Sequence, residues 1–462
     1  MYNYEKINPQ IFRGYDIRGI YGKDLTEKVA YKIGNIYGQI ILEKGFSKVI
    51  VGRDNRFSSE TLQKSLIDGI LDSGASVIDI GLVTSPILYY TNEIFNIRQG
   101  IMVTASHNPK EYNGFKIAID EKGEICGQEI EVFRDCVLNL KVAKVERKGI
   151  LLKISMNDLY TNMFVQKFSF NKKQKLIIDC GNGTASIIAQ KIFDNFSNLE
   201  CKYICSTSDP SFPIHHPDPA EPENLKLLQE IVLKEKADLG IAFDGDCDRV
   251  GFVDDKGRIV DADYMLAIFA KNIIPKIKNK TVFFDVSCSK TLADEIRKAG
   301  GIPICYKTGH SYIKREMLKQ GGLFGGEISG HTFFKDKFYG FDDGIYAALR
   351  MVELLEETNK SMSYEVDSLV KYNSSPVIKL KVREDVKAKV IEDFKKYCTD
   401  NNYNVNLIDG ARIEEKDYFV ICRMSNTTPK ITIRFEGNTA EKLKEIYEKF
   451  IPVINNIIAK NS

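Results

Sequence analysis

Residues 244–249 read Asp-Gly-Asp-Cys-Asp-Arg: three carboxylates at alternate positions with a guanidinium directly after them. So much like charge within five residues is unfavourable unless a cation neutralises it. An all-oxygen donor set favours a hard ion, which makes Mg2+ the first candidate for Asp244, Asp246 and Asp248. A solvated acidic turn is the plain alternative, and for one Asp-x-Asp alone it would be the usual one. The flanks argue against it, because 239–243 (LGIAF) and 250–253 (VGFV) are short apolar runs of the kind that form buried strands. An EF-hand loop needs glycine at its sixth position and helices on both sides; here Arg249 stands sixth between strand-like flanks, so that reading is rejected.

Three further loops carry chemistry. Thr104–Pro109 (TASHNP) sets a serine in a tight turn closed by proline. A hydrolase-like pair of Ser106 and His107 is disfavoured, since adjacent side chains rarely face one another and no GxSxG elbow is present. A better role for Ser106 is to carry a phosphate, roughly −1.5 to −2 charges, with one oxygen completing the metal shell. Lys116 is a candidate cation for that phosphate. A lysine pressed by metal and arginine can have a lowered pKa and move protons; alone, it would read as a surface lysine. The loop from Glu327 to His331 puts a carboxylate, a hydroxyl and an imidazole between glycines, a set that suits sugar hydroxyls as well as it suits an ordinary loop. Arg423–Lys430 (RMSNTTPK) gathers a guanidinium, hydroxyls, an amide and turn backbone, the inventory of a phosphate cradle. Arg434 and Glu436 on the next strand are expected to brace that loop. Three of the five histidines, His107, His310 and His331, lie in these loops, whereas His215 and His216 fall in a proline-rich stretch, 210–222, read as a surface connector.

The elements that must position these loops repeat three times. Val49–Val51, Leu176–Ile178 and Val282–Phe284 each begin a pattern of apolar strand, polar turn and amphipathic helix, with glycine and a second strand following the helix in the first and third. In the first, Leu62, Leu66, Ile70 and Leu71 mark the apolar helix face. Such alternation predicts βαβ units and a largely parallel sheet. No GxGxxG follows any of these strands, which argues against a dinucleotide. Each copy then ends in one of the polar loops, and open α/β sheets place ligands at the carboxyl ends of their strands. After about residue 368 the pattern changes to an alternating strand at 377–382, then a helix, a strand and a terminal helix near 440–459, an α+β arrangement, with Lys371–Pro376 as a linker.

At 462 residues the chain is too long for one core and predicts three or four domains. A formal net charge of +2 gives no reason to expect nucleic acid or membrane partners, and no apolar run reaches transmembrane length. The N-terminus has no secretory pattern. Ten scattered cysteines without CxxC pairs read as free thiols of a cytoplasmic protein.

The motif set resembles the alpha-D-phosphohexomutase superfamily, closest to its bacterial phosphomannomutase/phosphoglucomutase group. TASHNP, DGDCDR, GEISGH and RMSNTTP occur in the family's order along the whole chain, with Phe12–Gly19 and Lys307–Ser311 similar to two further signatures. Gly14 departs from the larger residue many relatives carry, with little consequence expected. The resemblance implies three related mixed or parallel-sheet α/β domains plus a C-terminal α+β domain around a central cleft. The expected limits are 1–150, bearing the phosphoserine loop, 151–255, bearing Mg2+, 256–368, reading the sugar, and 369–462, gripping phosphate. It implies Ser106 as phosphoserine and metal ligand beside Asp244, Asp246 and Asp248. Arg18, Lys116, His107, His310 and Arg249 would attend phosphoryl transfer and proton movement. Tyr15, Lys307, Glu327, Ser329, His331, Arg423, Ser425, Asn426 and Thr427 would bind substrate.

The implied reaction interconverts the 1- and 6-phosphates of mannose or glucose, with Mg2+ as cofactor and a hexose 1,6-bisphosphate as intermediate and activator. Phosphoglucosamine mutase is the alternative within the family. A Mg-dependent sugar phosphatase would need an aspartate nucleophile, and a non-catalytic sugar-phosphate binding protein would leave Ser106 and Lys116 without purpose. Hexose phosphates are the only partners expected, and a monomer is the expected state.

Overall fold

The computed structural model of the protein describes residues 7–424 and 430–461. One compact unit comprises the chain up to Asp261 together with Ser329–Glu365; the other comprises Ala262–Ile328 together with the chain from Val366.

The first unit holds two sheets. In the first sheet Lys48–Arg53 lies between Ser76–Leu82 and Gly100–Val103, parallel to both. Tyr112–Asp120 runs antiparallel along Gly100–Val103, and Ile17–Ile20 antiparallel along Tyr112–Asp120. Central strands of such a sheet are covered on both faces, and Val49, Ile50 and Val51 are accordingly all buried. Helices Glu27–Glu43, Ser59–Asp72 and Gln128–Asn139 press Val29, Ile33, Leu62, Leu66 and Phe133 onto one face. The first two helices touch through glycine: a Cβ on Gly34 would stand 2.1 Å from the Leu66 carbonyl oxygen, and one on Gly69 2.1 Å from that of Tyr31.

The second sheet repeats the plan. Gln174–Asp179 lies between Leu199–Ile204 and Leu239–Phe243, parallel to both, and Val250–Asp254 returns antiparallel to Leu239–Phe243. The helix Lys226–Glu235 covers it with Leu228 and Val232. In the second unit Thr281–Asp285 likewise lies between Ile302–Tyr306 and Phe324–Gly326, all parallel. All three copies therefore place their first strand centrally, flanked by the second and third. The loops at 104–109, 244–249 and 327–331 each leave the carboxyl end of the third strand.

The C-terminal sheet is antiparallel, with Val405–Asn406, Ala411–Glu414, Tyr418–Met424 and Lys430–Gly437 in a meander and Ile378–Lys381 on the far side. This region holds more strands than its sequence pattern predicts. Residues 371–376 are not a free linker. Asn373–Ser374 pairs with Lys430–Gly437, and the Tyr372 hydroxyl donates to Asp294 at 2.7 Å. The C-terminal sheet is fastened to the rest of its unit by buried Arg412, which donates to the carbonyls of Val286 (2.7 Å) and Cys288. Arg434 donates to Asp263 at 3.2 Å, and Ser289 and the Lys290 amide donate to Glu436 at 2.9 and 3.0 Å. Arg434 and Glu436 thus brace the segment at 263–290, and residues 425–429 of the loop they were expected to brace lie outside the described residues. Among the described residues no helix is long and apolar enough to cross a membrane.

Gly34→Ala should lower stability by about 1–3 kcal/mol, because neither backbone at the contact can yield without moving a helix. A shifted urea midpoint at unchanged slope is the expected result, and an unshifted midpoint would mean the helices do not meet there.

Candidate active site

Strand pairing brings the first unit's chemistry together. Gly100–Val103 runs into the Ser106 loop, and its antiparallel neighbour pairs Lys116 with Met102. Leu239–Phe243 runs into the aspartate loop. Ser106 Oγ donates to Asp244 Oδ2 at 2.7 Å, joining the two loops. They meet so closely that a Cβ on Gly245 would stand 2.4 Å from the Ser106 carbonyl oxygen. Ser106 and Cys247 both adopt left-handed backbone, φ 47° and 65°, unfavourable for residues with a Cβ and held by their surroundings. Cys247 is held by its amide on the Asp244 carbonyl, 3.1 Å, and by the Gly344 amide on its own carbonyl, 3.1 Å.

Asp244, Asp246 and Asp248 are fully buried, and one oxygen from each lies within 4.8 Å of the others. Asp244 Oδ1 accepts from the amides of Asp248 and Arg249 at 3.1 and 3.2 Å. Asp246 Oδ2 accepts from Ser85 Oγ and Lys116 Nζ, both at 2.7 Å, and Lys116 also contacts Asp248. Burial raises the pKa of Asp244, and the neighbouring Asp246 and Asp248 raise it further. Burial acts on Asp246 in the same direction, but Lys116 outweighs it and Asp246 is held ionised. The outer oxygens Asp246 Oδ1 and Asp248 Oδ1 are buried and have no hydrogen-bond partner among the described residues. Buried carboxylate oxygens of that kind need a cation, and hard oxygen donors in this number suit a divalent ion. These three residues could hold one.

Lys116 stands as the cation its sequence reading offers, here against the aspartates. Burial lowers its pKa, but Asp246 and Asp248 outweigh that and raise it above the ordinary lysine range, so it stands here as a charged partner of the aspartates. The Ser106–His107 pair departs from its sequence reading: Oγ lies 3.2 Å from His107 Nδ1, so the adjacent side chains do meet. The single hydroxyl proton goes to Asp244, the shorter contact and the carboxylate. Desolvation, then Arg249 and Arg18, hold His107 well below its usual pKa and therefore neutral.

His331 is engaged by Arg249. Arg249 Nε, always a donor, reaches His331 Nε2 at 2.9 Å, so the ring proton sits on Nδ1, which faces buried Asp342 Oδ2 at 2.8 Å. Arg249 Nε also lies 3.9 Å from Asp244 Oδ2. Arg18 is buried, donates to the Thr104 carbonyl and pairs with Asp16 at 2.8 Å. Tyr15 and Ser329 are half-buried.

Several residues of this site escaped the sequence reading. Buried Arg56 donates to the carbonyls of Ser106, Asn108, Pro109 and Tyr112 at 2.6–3.1 Å while paired with Asp54 at 3.2 Å; it shapes the serine loop. Its only signal was a place in the turn after the first repeat strand. Ser85 and Asp342 had no signal. The 210–222 stretch is no surface connector: His215 reaches Asp179 at 2.9 Å and His216 contacts the His107 carbonyl.

In the second unit, Glu327 is buried and accepts from the Gly309 amide. The Thr308 amide donates to Asp409 Oδ2 at 3.1 Å, and Arg423 pairs with the same carboxylate at 3.0 Å. These bonds gather Glu327, the 307–310 segment and Arg423 within that unit. His310 is buried and Lys307 exposed. Ser425, Asn426 and Thr427 lie outside the described residues.

Comparison with known proteins matches four consecutive family profiles. They are the phosphoglucomutase/phosphomannomutase alpha/beta/alpha domains I, II and III, at residues 9–139, 158–257 and 261–372, and the C-terminal domain, at 378–453. A phosphomannomutase/phosphoglucomutase of Pseudomonas aeruginosa is 40% identical over 445 residues, covering 95% of this chain and 94% of that protein. A phosphoglucomutase of Neisseria gonorrhoeae is 37% identical over 454 residues, covering 97% and 98%. The crystal structure of a phosphoglucomutase/phosphomannomutase family protein from Burkholderia thailandensis superposes with a TM-score of 0.91 at 34% identity, covering 98% of each chain.

Gly245→Ala should lower kcat by about a hundredfold, because its methyl group forces the aspartate loop off the Ser106 carbonyl and misplaces the reacting groups. Steady-state turnover of the folded variant is the measurement, and wild-type turnover would show that the two loops need not touch.

Proposed function

The chain belongs to the phosphoglucomutase/phosphomannomutase family, and from that premise we propose that it interconverts the 1- and 6-phosphates of glucose and mannose through a phosphorylated Ser106. The observation that carries this reading is the 2.7 Å contact between Ser106 Oγ and Asp244, in a strained loop beside three buried carboxylates and the cations Lys116, Arg18 and Arg249. That is the arrangement a transferable phosphate requires: an oxygen to carry it, and balanced charge around it.

In the proposed reaction the O–P bond at Ser106 breaks as one forms to the free hydroxyl of a hexose 1-phosphate, whose proton passes in net terms to Ser106 Oγ. The bisphosphate turns end for end, and its other phosphate returns to Ser106. Asp244, Asp246 and Asp248, with an oxygen of the Ser106 phosphate, would hold Mg2+, which when bound neutralises charge on the transferring group. Arg56 and Arg18 fix the carbonyls of the serine loop, so Ser106 is positioned before substrate arrives. We assign Lys116, Arg18, His107 and His310 to phosphoryl transfer and the accompanying proton movement. His331 accepts from Arg249 at Nε2 and orients it at Asp244, and it is assigned a place beside the sugar. Glu327 and Ser329 are assigned to the sugar's hydroxyls, Tyr15 and Lys307 to substrate contact, and Arg423 with Ser425, Asn426 and Thr427 to the phosphate that is not reacting. Ten free thiols fit a reducing compartment, and we place the enzyme in the cytoplasm.

Ser106→Ala should reduce mutase turnover by at least about three orders of magnitude. Phosphopeptide mapping of the wild-type protein after incubation with glucose 1,6-bisphosphate should find phosphate on Ser106. Acid-labile phosphate on Asp244 would replace this mechanism with an aspartyl-phosphate one.

Glucose 1-phosphate and mannose 1-phosphate should have kcat/KM values within about two orders of magnitude of each other, since no assigned group is devoted to carbon 2, where the sugars differ. A far larger ratio, or glucosamine 1-phosphate as the best substrate, would contradict the assignment.

A further inference from the structure

We propose that Asp179, Cys205 and His215 form a second metal site in the first unit, separate from the aspartate loop and suited to a zinc-class ion. His215 Nε2 lies 2.9 Å from Asp179 Oδ2 and 3.5 Å from Cys205 Sγ, and one ligand atom of each residue lies within 4.8 Å of the others. Around a tetrahedral zinc with metal–nitrogen and metal–oxygen distances of about 2.0 Å and metal–sulfur of about 2.3 Å, the N–O and N–S separations come to about 3.3 and 3.5 Å. The two separations at His215 therefore stand within about 0.4 Å of those around an ion.

Each group is held for this from its other side. His215 Nδ1 faces the His216 carbonyl at 3.0 Å. A carbonyl only accepts, so Nδ1 carries a proton and Nε2 is the nitrogen left to coordinate, the usual outer-shell device for a metal-bound histidine. Asp179 Oδ1 accepts from the Gly181 amide at 2.9 Å, which leaves Oδ2 turned to His215. Cys205 adopts left-handed backbone, φ 48°, and its carbonyl is fixed by the Asn182 amide at 2.8 Å and Ser186 Oγ at 3.3 Å. Asp179 is fully buried while His215 and Cys205 are half-buried, so an ion can enter.

A thiolate beside an imidazole selects a softer ion than the all-oxygen aspartate loop does. Binding would release the Cys205 thiol proton and the Nε2 proton of His215, and leave a fourth position for water. Such an ion would tie the ends of two adjacent parallel strands to the 210–222 stretch. The His216 contact to the His107 carbonyl would in turn steady the Ser106 loop from behind.

The test is a cobalt titration of the metal-stripped full-length protein in excess Mg2+. One Co2+ per chain should bind with a thiolate-to-metal charge-transfer band, displaced by Zn2+. The band should vanish in Cys205→Ser, persist in Asp246→Asn, and require at least about tenfold more Co2+ in His215→Gln. If Cys205→Ser does not fold, the wild-type spectrum and His215→Gln decide. No charge-transfer band in the wild type at saturating Co2+, or a band unchanged in Cys205→Ser or in His215→Gln, would overturn the site.

Discussion

Three carboxylates confined to five residues, with every one of their side chains buried, set the terms for the rest of the first unit. Buried anions need partners, and removing one partner costs far more than a surface pair is worth. Lys116 comes from a strand paired with the one that carries the serine loop, Ser85 from the start of a helix, Ser106 from its loop, and Arg249 from the aspartate segment itself. Each brings a proton or a positive charge to the same few cubic ångströms. The strand order of the first sheet is what allows it, because Met102 and Lys116 stand opposite one another.

The threefold plan explains how a chain can deliver distant loops reliably. In every copy an aspartate ends the first strand or directly follows it and spends its oxygens on the turn that follows or on nearby loops. Asp54 accepts from the Arg56 amide and Ser59, Asp179 from the Gly181 amide and His215, and Asp285 from Cys288, Thr308 and the Ile328 amide. Irregular backbone at a strand end is thereby given fixed acceptors, and the loop leaving the neighbouring third strand starts from rigid ground. In the third copy Asp285 reaches the 327–331 loop directly through Ile328.

A serine that must take and return a phosphate has to be exact in place without being inert. The Ser106 loop achieves this with a strained residue fixed by its carbonyl rather than by its side chain. Arg56 and the packing of Gly245 hold the backbone, while Oγ contacts Asp244 at 2.7 Å and His107 at 3.2 Å. Arg249 is likewise held at its Nε, which donates to His331 at 2.9 Å.

Local patterns determined much of this protein. Strand periodicity and the polar loops at 104–109, 244–249 and 327–331 were legible in the sequence because each is a local pattern. Ser106 and the aspartate triad could be named there because their residue types have few other uses at that spacing. What only the tertiary structure decided are pairings between segments distant in the chain. Arg56 on four carbonyls, His216 on the His107 carbonyl and Ser85 on Asp246 join positions 50 to 161 residues apart with no shared pattern. The charge on Lys116 belongs to the same class. Its pKa is set by which groups fold against it, and Asp246 and Asp248 outweigh burial and raise it. The 371–376 segment also looked like a linker only because two residues are too short to announce a strand, and their partner, Lys430–Gly437, is encoded some sixty residues later.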